Sequence, residues 1–382
     1  MEMYRGALPP RWKRPLFQGL LAQLLLALVL TIAFIFFYQN AAVNLQDHHL
    51  GFGFDFLFGQ ASFNLGENLV GFAPGDNFWK ALLAGVTNTL LVSVFSIVLA
   101  SIIGLAVAMA RLSSNVLARG LSWIYIEIFR NVPLLLQIIF WYEFYTAFGP
   151  SAKQAFSVLD AFFVSNRGVN IPVLENTAGY LMLATFAVTM FAVMLGCRKL
   201  ERRKARIMRG YAWVFAAVIL LYIQFESDIF AISIPVQKGF GFSGGANISP
   251  EFIGLALGLT IYTSAFIAEI IRGGILGVDY GQVEAAASIG LGRLHTLRLV
   301  VLPQAARIII PPLGSEYLSL VKNSSLAVAI GYPDIVRVGS VIIAGTGRTI
   351  ETIAIIMAIY LLISLSISWA LNRYYQSIMA KG

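Results

Sequence analysis

Residues 283–312 read VEAAASIGLGRLHTLRLVVLPQAARIIIPP. The segment carries Arg293, Arg298 and Arg307, too polar a pattern to cross a bilayer, yet it lies between two apolar runs. Asp279 is placed to cap a helix with Gln282 three residues on, a capping-box spacing, and Gly290 and Gly292 stop the helix that VEAAASI propagates. A second short helix from Arg293 to Leu302 is expected to end at Pro303. The spacing thus predicts two short helices meeting at a glycine turn, a knuckle outside the membrane. Its alanine face admits a close neighbour, and Glu284 can pair with charge on that neighbour or stand as a solvated helix acid.

Outward from this knuckle the chain is apolar. Of 382 residues 58% are hydrophobic and 12% charged, which excludes a soluble multidomain protein and indicates an integral membrane one. The runs 15–46, 81–110, 176–197 and 352–372 carry no charge, and each is long enough to span. Together with weaker runs they predict about eight transmembrane helices, near 16–38, 80–110, 121–147, 177–196, 211–230, 251–271, 307–332 and 349–371. The fold class is therefore all-α integral membrane.

An even number of spans puts both termini on one side. Arg5, Arg11, Lys13 and Arg14 precede the first span and a basic run from Arg198 to Arg209 follows the fourth, whereas 39–79 carries Asp47, Asp55, Glu67 and Asp76 and no Lys or Arg. The positive-inside bias places both termini in the cytoplasm. The net charge of +8 is read as this orientation signal, in contact with anionic lipid headgroups, and not as a nucleic-acid site. The first apolar run exceeds the length of a signal-peptide core and is expected to stay as a helix. One cysteine, Cys197, allows no internal disulfide, and His48, His49 and His295 form no metal-binding pattern.

Polar groups within spans mark the core. They are Thr87, Asn88 and Thr89 in the second span, Glu127, Arg130 and Glu143 in the third, Glu269 and Arg272 in the sixth, and Glu316, Lys322, Asn323 and Ser324 in the seventh. A mid-membrane charge costs about 2.5–3.5 kcal/mol on insertion scales, so such groups face a bundle interior or a wet cavity. Gly254 and Gly258, and the small residues Gly104, Ala106, Ala108 and Ala110, permit close helix approach. Pro133, Pro311 and Pro312 break the helical ladder where neighbours or water can satisfy the freed carbonyls. The aromatic, acidic segment 39–79 reads either as a re-entrant or interfacial lid or as an ordinary aromatic belt. No G-x-x-x-x-G-K-[ST] and no Gly-Lys pair occur, so the chain has no phosphate cradle for ATP; nor does it carry an HExxH or a nucleophile-base pair.

The spacing of Glu284, Ala285, Ala286, Gly290, Val300, Leu302 and Pro303 resembles the coupling loop of binding-protein-dependent ABC importer permeases, with valine where isoleucine is commoner. The flanks LARGLSWIYIEIFRNVPLLLQIIFWY, AFIAEIIRGGILGVDYGQVEAA and PPLGSEYLSLVKNSSLAVAIG are similar to the polar-amino-acid uptake branch, and the longer layout to general L-amino-acid permease subunits of the AapQ/BztB type. The resemblance implies a MetI-like type I transmembrane domain with a core of five helices, plus an N-terminal helix and a two-helix insertion. The corresponding divisions are 1–79, an anchor helix and periplasmic segment; 80–148, the first part of the core; 149–250, the insertion; and 251–375, the second part, with its coupling loop at 273–306.

It further implies a bacterial inner-membrane importer of L-amino acids, worked by an ABC ATPase dimer that binds ATP and magnesium while this chain binds no cofactor. A periplasmic amino-acid-binding protein and a second permease subunit complete the expected partners. Asn88, Thr89, Glu127, Arg130, Glu269, Glu316, Lys322, Asn323 and Ser324 are candidates to line or gate the path. Alternatively the charges pair among themselves, Glu127 with Arg130 and Glu269 with Arg272, each three apart on a helix. An ion-coupled secondary amino-acid transporter is the competing function; it also uses broken helices, but needs no coupling knuckle.

Overall fold

The computed structural model describes residues 15–47, 53–67, 69–175, 213, 231–239 and 241–379. The expected fourth and fifth spans, the basic run and Cys197 fall outside the described residues, apart from Trp213. The remainder is predominantly helical, as the apolar runs require. Helix α1 (Pro15–Asp47) presents Leu24, Phe34 and Phe37 outward, as suits lipid contact. Helix α2 (Phe78–Leu112) rises for 35 residues, about 52 Å at helical pitch.

The third expected span is two helices. Helix α3 (Val116–Asn131) and helix α4 (Leu134–Phe148) meet at Val132–Pro133 with a bend of 106°. Pro133 has no N–H to give the carbonyl of Phe129, and in an apolar medium that carbonyl cannot be left bare. The Gln137 amide supplies the missing donor, reaching Phe129 O and Val132 O at 2.9 Å each.

Helix α5 (Pro250–Leu276) is the hub of the bundle, capped by Ser249, whose Oγ accepts from Phe252 N at 3.1 Å. In lipid there is no apolar driving force between helices, so association rests on close packing. The GxxxG pair serves this: a Cβ on Gly254 would lie 2.7 Å from Tyr142 Cα, and one on Gly258 would lie 3.0 Å from Ile138 Cα. Leu255 and Leu259, between and beside these glycines, are fully buried with Val92 of α2 and Leu320 further along.

After α5 come helix α6 (Tyr280–Ser288), a single turn α7 (Arg293–Thr296), a π-helical turn over Leu297–Val301 and helix α8 (Leu302–Asn323). A 3-10 segment, Ser324–Ile330, extends α8; helix α9 (Ile335–Thr346) and helix α10 (Thr349–Met379) complete the chain. Among the described residues four helices are long and apolar enough to cross a membrane, or five if the bent α3–α4 pair is one span. Helix α9 was not expected. It packs on α2, where Gly85 lets Ile335 approach.

Two further features differ from expectation. The ends of the insertion form small antiparallel sheets: β1 (Phe156–Val158), β2 (Phe162–Ser165), β3 (Gly168–Ile171), β4 (Val173–Leu174), β5 (Ile232–Ser233), β6 (Val236–Lys238), β7 (Gly241–Ser243) and β8 (Ala246–Ile248). The order β1-β2-β3-β8 joins both ends of the insertion, with Val169 opposite Ile248. Within the aromatic segment, residues 53–67 and 69–77 form a folded strap. Ala61, Leu65 and Phe72 are buried against Val338 and Ile342 of α9, with Phe63 and Phe78 rings 6.3 Å apart.

Candidate functional site

The knuckle is the first candidate. Asp279 caps α6 by accepting from Gly281 N at 2.8 Å, but no capping box forms, because the Gln282 amide oxygen instead accepts from Gln304 Nε2 at 3.3 Å. At the far end Gly290 adopts φ +81°, and the N–H groups of Gly290 and Leu291 donate to Ala287 O and Ala286 O at 2.9 and 3.1 Å. This left-handed close is what ends α6. Gly292, at φ −67°, is the N-cap of α7 and needs no special conformation.

Pro303 does not end a helix. The chain remains helical from Arg293 through α8 to Ile330. A proline ring crowds the carbonyl one turn back, and the wider π turn before it, closed by Leu302 N donating to Leu297 O, accommodates that ring. Pro311 and Pro312 likewise sit inside α8 and not at its start. The second half of the knuckle and the membrane helix are therefore one continuous helical run.

Glu284, Ala285, Leu302 and Pro303 are exposed, Val300 is half-buried and Ala286 is buried. Around them Tyr280, Ile289 and Leu294 are 71, 78 and 75% exposed. Large apolar side chains so exposed, beside the alanines of α6, make this an apolar surface patch. Sequence spacing pointed to the alanines; it did not point to these three exposed side chains.

The polar and charged candidates divide into two sets. Asn88 and Thr89 are buried pins: Asn88 Nδ2 donates to Glu67 O and Pro333 O at 2.9 Å each, and Thr89 Oγ1 donates to Gly85 O and accepts from Ile335 N. Their polar groups hold the strap and α9 on α2. Ser324 is likewise buried, donating to Val321 O at 2.7 Å. Lys322 is exposed and Asn323 half-buried.

The second set gathers around α5. Arg272 pairs with Glu269 at 2.8 Å, as helical spacing predicted. Glu127 and Arg130 do not form the expected pair: Glu127 accepts from Asn131 Nδ2 at 3.2 Å, while the Arg130 guanidinium lies 5.1 Å from the centroid of the Phe266 ring. From there the charge of Arg130 acts on Glu269, on Glu316 of α8 and on Tyr262. The Tyr262 and Phe266 rings contact in a tilted arrangement with centroids 4.8 Å apart. Tyr262, Phe266 and Glu269 recur at i, i+4 and i+7, one face of α5, a periodicity legible in the sequence but not used there. Arg130 and Glu127 are exposed and Glu316 is half-buried, so the cluster opens on one side of the bundle.

Comparison with known proteins gives the family. The family described as binding-protein-dependent transport system inner membrane component matches residues 100–379. The putative amino-acid ABC transporter permease protein YhdX of Escherichia coli is 42% identical over 93% of this chain and 92% of its own length. The general L-amino acid transport system permease protein AapQ of Rhizobium johnstonii is 38% identical over 92% and 90%. The glutamate/glutamine/aspartate/asparagine transport system permease protein BztB of Rhodobacter capsulatus is 34% identical over 96% and 94%. Among solved structures, an amino acid ABC transporter with histidines is 23% identical, covering 78% of this chain and 95% of that chain at a TM-score of 0.48.

Proposed function

The chain belongs to the family of binding-protein-dependent transport system inner membrane components, as a permease subunit of an amino-acid ABC importer, and from that premise we propose how its parts divide the work. The ion-coupled alternative is set aside by the same membership. The permease is not itself an enzyme. ATP and magnesium are held by a partner ATPase dimer, whose groove receives α6.

The observation that carries this reading is the unbroken helical run from Arg293 to Ile330. A displacement of the docked knuckle is transmitted through α7 and the π turn into α8, and so to Glu316. Exposed Tyr280, Ile289 and Leu294 supply apolar anchors, and Glu284 supplies charge. The rest of the coupling surface is Ala285, Ala286, Gly290, Val300, Leu302 and Pro303.

The half-open cluster of Arg130, Tyr262, Glu269 and Glu316 faces the translocation path, offering a cation for a carboxylate and acceptors for an ammonium group. A second permease subunit closes its open side, and a periplasmic binding protein delivers the amino acid opposite the knuckle. Both termini lie in the cytoplasm. ATP-driven closure of the ATPase dimer must change the relative affinity of the two facing states, or no pumping follows.

Ala285→Cys, in a chain whose Cys197 is replaced by serine, tests the docking. A short thiol-to-amine reagent should join it to the ATPase in the assembled complex, with the yield changing between ATP-bound and nucleotide-free states. Absence of cross-link in a complex that still imports amino acids would refute the proposed contact.

A further inference from the structure

At the end of α5 opposite the knuckle, about 40 Å away by helical rise, the strap, the insertion sheet and the start of α9 line a half-open cavity of about 630 Å³. Its walls carry Glu67 of the strap, Glu251 of α5, Arg337 of α9 and Arg167 from the turn between β2 and β3, with the carboxamides of Asn64, Asn166 and Asn247 between them. The volume suits a small molecule and the lining mixes both signs of charge with neutral donors and acceptors.

Glu67 is the organising residue. Its backbone carbonyl is held by Asn88 and its carboxylate accepts from Ser249 N at the start of α5. Burial raises its carboxyl pKa above the usual range, and the charge of Glu251 adds to that rise. At the start of α5 the Glu67 and Glu251 carboxylates repel one another, a local situation that a cationic group placed between them relieves. Arg337 is exposed on α9, and among the described residues its guanidinium forms no ion pair, so its charge is available to an anionic group.

We propose that this cavity is an outer receiving site for an amino-acid zwitterion, its ammonium group between Glu67 and Glu251 and its carboxylate on Arg337. The three carboxamides then face the substrate side chain. The site lies at the outer end of the bundle, separate from the Arg130–Glu316 cluster, and rests on the proposed orientation with the knuckle in the cytoplasm. In this arrangement the strap and sheet form a cup in which a released amino acid is held before it moves inward.

The test uses the complete transporter in proteoliposomes, with Val341→Cys on the cavity wall as reporter and Cys197→Ser to remove the native thiol. L-Glutamine should slow labelling by a membrane-impermeant maleimide, about tenfold at ten times its half-protecting concentration. L-Glutaminamide, which lacks the carboxylate, should not protect. Arg337→Gln should raise the half-protecting concentration about tenfold or more, as for a lost charge-assisted bond, while co-purification with the ATPase stays unchanged. Glu67→Gln keeps an acceptor for Ser249 N and should weaken protection without detaching the strap.

Equal labelling with and without glutamine, in a preparation that imports it with ATP, would overturn the receiving site alone. Equal protection by glutamine and glutaminamide would overturn the assignment of Arg337. Failure of wild-type complexes to import any amino acid would instead strike the proposed function.

Discussion

Gly290 permits a test in which the magnitude follows from one dihedral angle. At φ +81° it lies where an L-residue is strained, yet no atom stands within 4 Å of where a Cβ would sit, so volume is not the issue. The penalty is conformational, about 1–2 kcal/mol for a residue with a Cβ, and greater for a β-branched one. A cost of that size shifts the population of the closed turn about 5- to 30-fold. Because the turn lies outside the bilayer, Gly290→Ala and Gly290→Val should insert and express normally. Both should bind the ATPase dimer more weakly, valine more so, and import fewer amino acids per ATP hydrolysed. Gly290→Asn should be the mildest, since asparagine tolerates this region. The matched control is Gly292→Ala: at φ −67° and with nothing within 4 Å of a Cβ, it meets no left-handed strain, loses only N-cap preference, and should be milder than Gly290→Val. Affinity for the ATPase and coupled uptake in proteoliposomes read the series. If Gly290→Val couples normally, or if Gly292→Ala is equally damaging, the left-handed turn is not what shapes the docking face.

Other outcomes follow from single contacts. Gln137→Leu removes the donor to Phe129 O and Val132 O at the Pro133 break and should lower stability by about 1–3 kcal/mol; an unchanged melting midpoint of the purified complex would contradict this. Gly254→Val should force α4 off α5, given a Cβ only 2.7 Å from Tyr142 Cα, whereas Gly273→Val, with open space, should be tolerated; protease resistance of the purified protein separates the two. Arg130→Gln should slow uptake about tenfold while leaving ATPase binding intact, and a normal uptake rate would remove Arg130 from the path.

The sequence made the helical membrane bundle legible because uncharged runs of about twenty or more residues have few other homes. The knuckle was legible for a different reason: Asp279, the alanines and Gly290 act within a few residues of one another. Pro303 was misread because proline usually ends a helix, while here a π turn just before it keeps the chain helical. The strands of the insertion, two to four residues long, are too short to show alternation. Asn88 looked like a path residue because a polar group in an apolar span demands a partner, and its partners, Glu67 O and Pro333 O, lie 21 and 245 residues away. The Arg130 cluster was half legible. The charges were found, but their pairing was set by Phe266, on another helix.

The most direct test of the account is the energy source of uptake. Proteoliposomes holding this chain, its partner permease and the ATPase, supplied with a loaded binding protein, should accumulate amino acid only with ATP and magnesium on the knuckle side. Accumulation driven by an ion gradient in the absence of ATP would contradict it.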